Sequence, residues 1–353
     1  MTAMLPIQLT PGPARPRPRA ALLGLVLLAL ALLLGAAGLA AGSEGWSLAW
    51  LPGSHDKGSQ DEWSLVAAIR APRTVGALLT GGLLGLAGAI AQGLFRNPLA
   101  DPYLLGSAAG AGLGVVLVLA AGGVLGHYIG LATADWLLRL GLVGAAFVGA
   151  VAGVALTLVL ARGAARPLVL LLAGVVVGIL LSSIGELVTL VSPEALRGKQ
   201  LFMLGTTSFL GWSSCAVLGV VLVLAAGLAW RYARALDALV LGEASAASLG
   251  LQLPRVRLLL VAVMALATGT AVAQAGLVAF VGLVAPHIVR RLVVVTHGPL
   301  LLLSAGAGAV LLLAADVAAR SVIVPQELPV GVLTAVLGGL YLMVLLRRRQ
   351  LQT

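Results

Sequence analysis

Ten apolar runs follow one another along this chain of 353 residues, and they constrain its fold more than any other feature. An α-helix needs about 20 apolar residues to cross the hydrocarbon core of a bilayer, and most of the runs approach that length. They cover residues 20–41, 74–95, 103–125, 140–161, 167–190, 212–230, 258–274, 275–289, 299–318 and 330–346. The pattern predicts an all-α polytopic membrane protein with ten transmembrane helices.

Composition supports the same class. Hydrophobic residues make up 60% of the chain and charged residues only 10%, whereas soluble domains carry about 25% charged residues. The net charge of +10 is spread along the chain and forms no cluster, so nucleic acid is not an expected partner. One cysteine, Cys215, excludes an intrachain disulfide framework, and the four histidines lack the spacing of metal ligands.

The basic residues predict the orientation of the helices, because cytoplasmic loops carry an excess of Lys and Arg. With the N-terminus inside, fifteen of the 22 fall on the cytoplasmic side. These are Arg15, Arg17, Arg19, Arg96, Arg162, Arg166, Arg231, Arg234, Arg255, Arg257, Arg290, Arg291, Arg347, Arg348 and Arg349. The outer side keeps Lys57, Arg70, Arg73, Arg139, Arg197, Lys199 and Arg320. We expect cytoplasmic tails at 1–19 and 347–353 around one transmembrane domain at 20–346.

Two segments admit alternatives. The run at 20–41 ends in small residues, as a signal peptide does, but it is long enough to span a bilayer and is interpreted as the first transmembrane helix. The stretch 192–211 opens with Ser192-Pro193-Glu194, an N-cap followed by proline at the first helical position. It predicts a short helix at the outer face, with a polar loop as the alternative.

The stretch 92–114, QGLFRNPLADPYLLGSAAGAGLG, interrupts the apolar pattern. Pro98 and Pro102 each remove a backbone donor and push the preceding residue out of helical geometry. Broken backbone in a membrane protein is tolerated where it is buried in protein or lines a watery path, which favours a transporter. The glycines that follow recur every fourth residue and predict a flat helix face for close packing: Gly106, Gly110 and Gly114.

The chain carries no phosphate-binding loop of the form G-x-x-x-x-G-K-[ST]. Its only Gly-Lys pair, Gly198-Lys199, has Pro193 where the first glycine should stand and Gln200 in place of the hydroxyl residue. We therefore predict that the chain is not itself an enzyme and hydrolyses no ATP.

Four sequence blocks occur in order between residue 65 and the C-terminus. They are residues 70–73 (RAPR), 97–102 (NPLADP), 242–250 (GEASAASLG) and 276–331, the last with FVGL, PHIVR, ADVAAR and ELPVG. Together they resemble the permease of type II ABC importers for iron–siderophore, haem and cobalamin, the FecCD family. The resemblance implies a homodimer with two ABC ATPase subunits, which bind ATP and Mg²⁺, and a substrate-binding protein. It places the chain in the bacterial inner membrane.

The resemblance also implies roles for individual residues. Arg70, Arg73 and Arg320 would pair with glutamates of the substrate-binding protein, since arginine binds carboxylates in bidentate geometry; snorkelling at the membrane interface is the alternative. Asn97 and Leu99 would form part of a cytoplasmic gate. The segment 239–251 would be the ATPase-coupling segment, with a plain cytoplasmic connector as the alternative, and its assigned residues are Gly242, Glu243, Ala246 and Gly250.

Acidic residues near membrane spans suggest a second hypothesis. Glu186 and Asp316 are functional candidates because charge near a span is costly, although Asp316 lies four residues before Arg320 and we expect the two to pair. Glu327 is predicted to favour the start of the last helix, and His287 to be structural. The alternative function is a secondary transporter driven by an ion gradient. An intramembrane enzyme would need a paired nucleophile and base, and the sequence shows no such pair. The transported substrate cannot be identified from the sequence.

Overall fold

The computed structural model describes residues 17–42, 45–46, 63–125, 131–162 and 166–350, without the side chains of residues 17–18, 46, 123–125, 131–140, 194, 346 and 348–350. The early helices are α1 (Arg17–Ala40), α2 (Ala71–Leu94), α3 (Ser107–Leu125), α4 (Leu131–Leu160), α5 (Pro167–Val191) and α6 (Pro193–Leu204). The later ones are α7 (Trp212–Arg231), α8 (Ala233–Val240), α9 (Glu243–Ser248), α10 (Leu253–Ala275), α11 (Val281–Leu292), α12 (His297–Ser321) and α13 (Val330–Gln350). Lys57, the side chain of Arg139 and most of the tail at 1–19 lie outside the described residues.

Each of the ten apolar runs overlaps one of these helices. Seven helices in the described part of the chain are long and apolar enough to cross a membrane, and α3 and α13 contain shorter apolar stretches. A two-residue ladder, β1 (Ala41–Gly42) with β2 (Gly45–Trp46), is a local turn beside α1. The architecture is that of an all-α polytopic membrane protein.

Some boundaries differ from the prediction. The second helical stretch begins at Trp63, well before residue 74, and its turn Val66–Arg70 is π-helical. The helix of the eighth apolar run begins only at Val281, because Gly276 and Phe280 have positive φ and interrupt helical geometry after α10. The predicted short helix after Ser192 is confirmed as α6, with the Ser192 hydroxyl accepting from the Ala195 N–H at 3.4 Å.

The centre of the fold is α2, and glycine lets its neighbours approach it closely. A Cβ on Gly81 would lie 2.3 Å from the Gly308 carbonyl oxygen of α12, and one on Gly85 would lie 2.2 Å from the Ser304 oxygen. Backbone contact of this kind replaces the hydrophobic force that lipid does not supply between helices. A side chain at either glycine would therefore separate α2 from α12.

The predicted glycine face of α3 is confirmed in two of three positions. Cβ atoms on Gly110 and Gly114 would each lie 2.1 Å from a carbonyl oxygen of α4, at Gly149 and Ala145. Gly106 lies before the helix but also meets α4, since a Cβ on Gly153 would lie 2.5 Å from the Gly106 carbonyl oxygen. With φ of +81°, Gly106 ends the 3₁₀ turn Pro102–Leu105 that precedes α3, a left-handed conformation that glycine adopts without strain.

Candidate functional site

Arg73 lies near the start of α2 and holds two carboxylates from distant parts of the chain. Its Nε donates to Asp316 Oδ1 of α12 at 3.0 Å. Its Nη1 donates to both carboxylate oxygens of Glu327, at 2.9 and 2.8 Å, in the loop before α13. Arg73 is 7% exposed and Asp316 is fully buried, so the ion pair between them is buried. Together with Glu327 it joins α2, α12 and the loop before α13.

Arg320 shares Asp316 with Arg73 and also contacts α1. Its Nη2 pairs with Asp316 Oδ2 one helical turn away, as the sequence predicted, and its Nη1 donates to the Gly38 carbonyl at 2.9 Å. Arg70 donates to the Leu39 carbonyl at 3.3 Å. The carbonyl end of α1, which has no intrahelical partners, is thus capped by two guanidinium groups.

Two hydroxyls from the loop after α6 complete this arginine–carboxylate cluster of Arg73, Asp316, Arg320 and Glu327. Thr207 donates to Asp316 Oδ1 at 2.5 Å, and Ser208 donates to Glu327 Oε2 at 3.0 Å. A cavity of about 250 Å³ opens beside the cluster, lined in part by Arg70, Arg73, Arg320 and Glu327. The arginines at the cavity can bind an acidic group there, while the buried charge of Asp316 stays paired with Arg73 and Arg320.

The three arginines predicted to dock a partner therefore occupy different environments. Arg73 and Arg320 are 7% and 2% exposed and bind carboxylates of their own chain, whereas Arg70 is half-buried at the rim of the cavity. Glu327, expected to serve the start of the last helix, binds Arg73. Sequence reasoning missed Thr207 and Ser208, which follow the predicted short helix in an unremarkable Thr-Thr-Ser run.

The predicted coupling residues lie beyond the other end of α2. Glu243, the first residue of α9, accepts from Arg257 at 2.7 Å and lies 4.0 Å from Arg96. Gly242 and Gly250 have φ of +103° and +79° and form the bends on either side of α9. Ala246 is fully buried against the cluster of core side chains, so α9 is fixed to the domain through that residue.

The outward side of this region is apolar. Val240, Leu241 and Leu249 are 61%, 70% and 66% exposed. With α9 they form what we call the coupling surface, residues 240–250. Large apolar side chains exposed together beside a short helix are typical of a surface that another protein covers.

Asn97 and Leu99 lie in the tight turn that follows α2. The Asn97 side-chain oxygen accepts from the Leu99 N–H at 2.9 Å, and both residues are exposed. Asp101 accepts from the Tyr103 N–H at 2.8 Å and begins the 3₁₀ turn. Burial raises the pKa of Asp101 to about 6, because loss of solvent disfavours its charged form more than this hydrogen bond favours it.

A larger cavity of about 540 Å³ lies between α3, α5 and α6. Its wall is mostly apolar, and Glu186 and Lys199 form an ion pair of 2.5 Å at its edge. Glu186, one of the two acids considered for ion coupling, is therefore neutralised within the chain, as Asp316 is.

The structure also contains two polar pairs whose partners were not predicted from the sequence. His297 donates its backbone N–H to Asp237 at 3.0 Å, and its ring lies 2.8 Å from the same oxygen. His287, predicted to be structural, accepts from Arg291 at 3.1 Å and contacts the Tyr341 ring edge-on. Within the described ranges, no three His, Cys, Asp or Glu side chains are placed to hold a metal ion.

Comparison with known proteins gives a consistent result over nearly the whole chain. The sequence profile of the FecCD transport family matches residues 22–348. The haemin transport system permease protein HmuU of Yersinia pestis is 36% identical over 339 residues, 95% of this chain and 98% of the relative. The vitamin B12 import system permease protein BtuC of Klebsiella pneumoniae is 39% identical over 344 residues, 94% and 95% of the two chains.

A solved structure resembles the fold to the same extent. It is a metal-chelate type ABC transporter in an inward-facing conformation, with a TM-score of 0.80 and 25% sequence identity. The similarity covers 93% of this chain and 99% of the other. With its long apolar helices, the protein is a multi-pass membrane protein, and the chain belongs to the FecCD transport family.

Proposed function

We propose that this chain is the permease subunit of an ATP-driven importer in the bacterial inner membrane, with ten transmembrane helices and both termini in the cytoplasm. The observation that carries the proposal is the end-to-end match to permeases of haemin and vitamin B12 import systems. The cargo is an iron chelate, haem or cobalamin, with an iron chelate as the first substrate to test. The metal-chelate type of the similar structure supports that order.

The chain works with partners that supply what it lacks. Two ABC ATPase subunits bind ATP and Mg²⁺, because the chain has no phosphate-binding loop. A substrate-binding protein docks at the arginine–carboxylate cluster to deliver its cargo, and a second copy of the chain completes the permease as a homodimer. The lipid bilayer and the partner copy cover the apolar side chains left exposed on α1, α5 and α7.

The two ends of α2 serve the two sides of the membrane. At the outer side, Arg70, Arg73 and Arg320 form the basic docking region. At the cytoplasmic side, the coupling surface, including Gly242, Glu243, Ala246 and Gly250, contacts the ATPase. The turn of Asn97 and Leu99 begins three residues beyond α2, next to Arg96, which approaches Glu243. This turn acts as the cytoplasmic gate.

The ion-gradient alternative gains no support from the described charges. A carrier acid must exchange protons or ions during transport. Asp316 is fully buried between two arginines and bound by Thr207, and Glu186 is paired with Lys199. Both acids act as ion-pair partners.

The test is reconstitution of the permease with its ATPase and binding protein in proteoliposomes. We expect uptake of a ferric siderophore, haem or cobalamin to require ATP and to persist when a protonophore collapses the proton gradient. Flux that is independent of ATP and abolished by the protonophore would contradict the function.

The gate is tested in the same proteoliposomes with Asn97→Ala and Leu99→Ala. We expect ATP hydrolysis to continue while transport per ATP falls, because the turn no longer closes on the inner side. The matched control is Gln252→Ala, an exposed residue of a neighbouring loop at the same side. Unchanged transport per ATP in both gate variants would contradict the gate assignment.

A further inference from the structure

Glu327 is the most exposed member of the arginine–carboxylate cluster. Its side chain is 29% exposed, against 8% for Arg73 and none for Asp316. Arg73 donates its Nε to Asp316 and its Nη1 to Glu327, so the two carboxylates occupy different edges of one guanidinium group. The Asp316 edge is enclosed, and the Glu327 edge faces the cavity of about 250 Å³.

Glu327 also connects segments that lead into the membrane helices. It accepts from Ser208 in the loop after α6, and it lies three residues before α13 begins at Val330. The same loop is bound to α13 directly, since the Gly331 N–H donates to the Gly205 carbonyl at 3.3 Å. It is bound to α10 through the Thr206 N–H, which donates to the Ala275 carbonyl at 2.8 Å.

We propose that Glu327 is an internal substitute for a carboxylate of the docking partner, and that docking displaces it from Arg73. This inference rests on the proposed function, because it assumes an acidic partner at the cluster. The incoming carboxylate takes the Nη1 edge of Arg73 from the cavity side, while Asp316 keeps the Nε edge. Displaced Glu327 then releases Ser208, and the loop after α6 and the start of α13 lose one of their connections.

The exchange is energetically reasonable because a carboxylate of the partner replaces the carboxylate of Glu327. One carboxylate leaves Arg73 Nη1 and another with the same charge binds there, so Arg73 is never left buried and unpaired. Removal without replacement would be costly for the same reason. The half-buried Arg70 at the cavity rim provides a second cation that attracts the incoming or the displaced acid.

The experiment measures docking of the binding protein to the complete permease–ATPase complex in nanodiscs, together with ATP hydrolysis in the absence of binding protein. Glu327→Gln removes the internal competitor, so we expect docking to tighten by about tenfold. We also expect ATP hydrolysis without binding protein to rise several-fold, because the connection through Ser208 is weakened. An unchanged or weaker docking affinity would overturn the exchange.

Two further variants separate competition from release. Ser208→Ala keeps Glu327 on Arg73, so docking should stay within about twofold while hydrolysis without binding protein rises. Unchanged hydrolysis in both Ser208→Ala and Glu327→Gln would refute the release step. Glu186→Gln, which removes the other carboxylate ion pair near α6, is the control and should leave docking affinity unchanged.

A third variant covers the case in which Glu327→Gln does not assemble. Glu327→Asp keeps the charge but shortens the side chain, and intermediate tightening of docking is expected; wild-type affinity there would also count against the exchange. Failure of the proposed function looks different. In that case the wild-type complex itself neither docks a binding protein nor couples uptake to ATP, whereas failure of the exchange alone leaves wild-type docking and uptake intact.

Discussion

The arginine–carboxylate cluster and the coupling surface lie at opposite ends of α2, and they differ in how far their charged side chains are buried. In the cluster, two arginines and two acids from α2, α12 and the loop before α13 are joined through an enclosed centre at Asp316. At the coupling surface, Glu243 is 44% exposed among exposed leucines, and it lies 4.0 Å from Arg96, whose side chain is 46% exposed. Buried pairs whose partners are distant in sequence fix an arrangement of helices, whereas an exposed pair leaves a surface open to a partner.

The largest expected effect comes from breaking the cluster with Arg73→Ala. Asp316 then keeps Arg320 as its one arginine partner and Glu327 keeps only the Ser208 hydroxyl, and removal of one member of a buried pair costs about 3–5 kcal/mol. Chemical unfolding in mixed micelles measures the loss. Arg70→Ala is the control, since Arg70 donates one long hydrogen bond to the Leu39 carbonyl. An equal loss of unfolding free energy in that variant would contradict the claim that the buried pair of Arg73 stabilises the fold.

A smaller effect is expected from Thr207→Val, which removes one hydrogen bond to Asp316 and leaves both arginines in place. A hydrogen bond to a charged group contributes about 1.5–3 kcal/mol. The same unfolding measurement applies. Thr334→Val provides the comparison, because the Thr334 hydroxyl donates only to a backbone carbonyl at 3.0 Å. Equal losses in the two variants would show that the charge of Asp316 contributes nothing.

Asp101 provides an intermediate case, a half-buried acid whose described support is a backbone N–H. Its pKa is raised from 3.8 to about 6, so the folded chain binds this proton more tightly than the unfolded chain. The free energy of unfolding therefore falls as the pH rises through that window. Asp101→Asn has no proton to lose, and its melting temperature should exceed that of the wild type by about 2 °C at pH 8.

The same two proteins should differ less, or in the opposite direction, at pH 4, because Asp101 is then protonated in the fold. Melting curves in detergent at the two pH values test the sign. A difference that does not depend on pH would mean that Asp101 is not desolvated in the folded protein.

The smallest effect on stability is expected at the coupling surface. Arg96→Gln removes a pair with Glu243 in which both side chains are nearly half exposed, and such pairs contribute about 0–1 kcal/mol. We expect a nearly unchanged free energy of unfolding but a reduced ATPase response to the binding protein. A loss of stability comparable to that of Arg73→Ala would erase the distinction between the two ends of α2.

Several features were predictable because they depend on local pattern. The apolar runs predicted the transmembrane helices, Ser192-Pro193 predicted the start of α6, and the four-residue spacing of Asp316 and Arg320 predicted their ion pair. Gly110 and Gly114 predicted close packing because residues four apart share one helix face. In each case the pattern that carries the prediction lies within a short stretch of sequence.

The assembly of the candidate site was not predictable in this way. Arg73 meets Asp316 and Glu327 across more than 240 residues of chain, and no periodicity connects them. The sequence by itself determined the membrane class, the helices and the family. Only the tertiary structure decided that Arg73 and Arg320 are buried while Glu327 faces a cavity, because the burial of a charge depends on which helices pack around it.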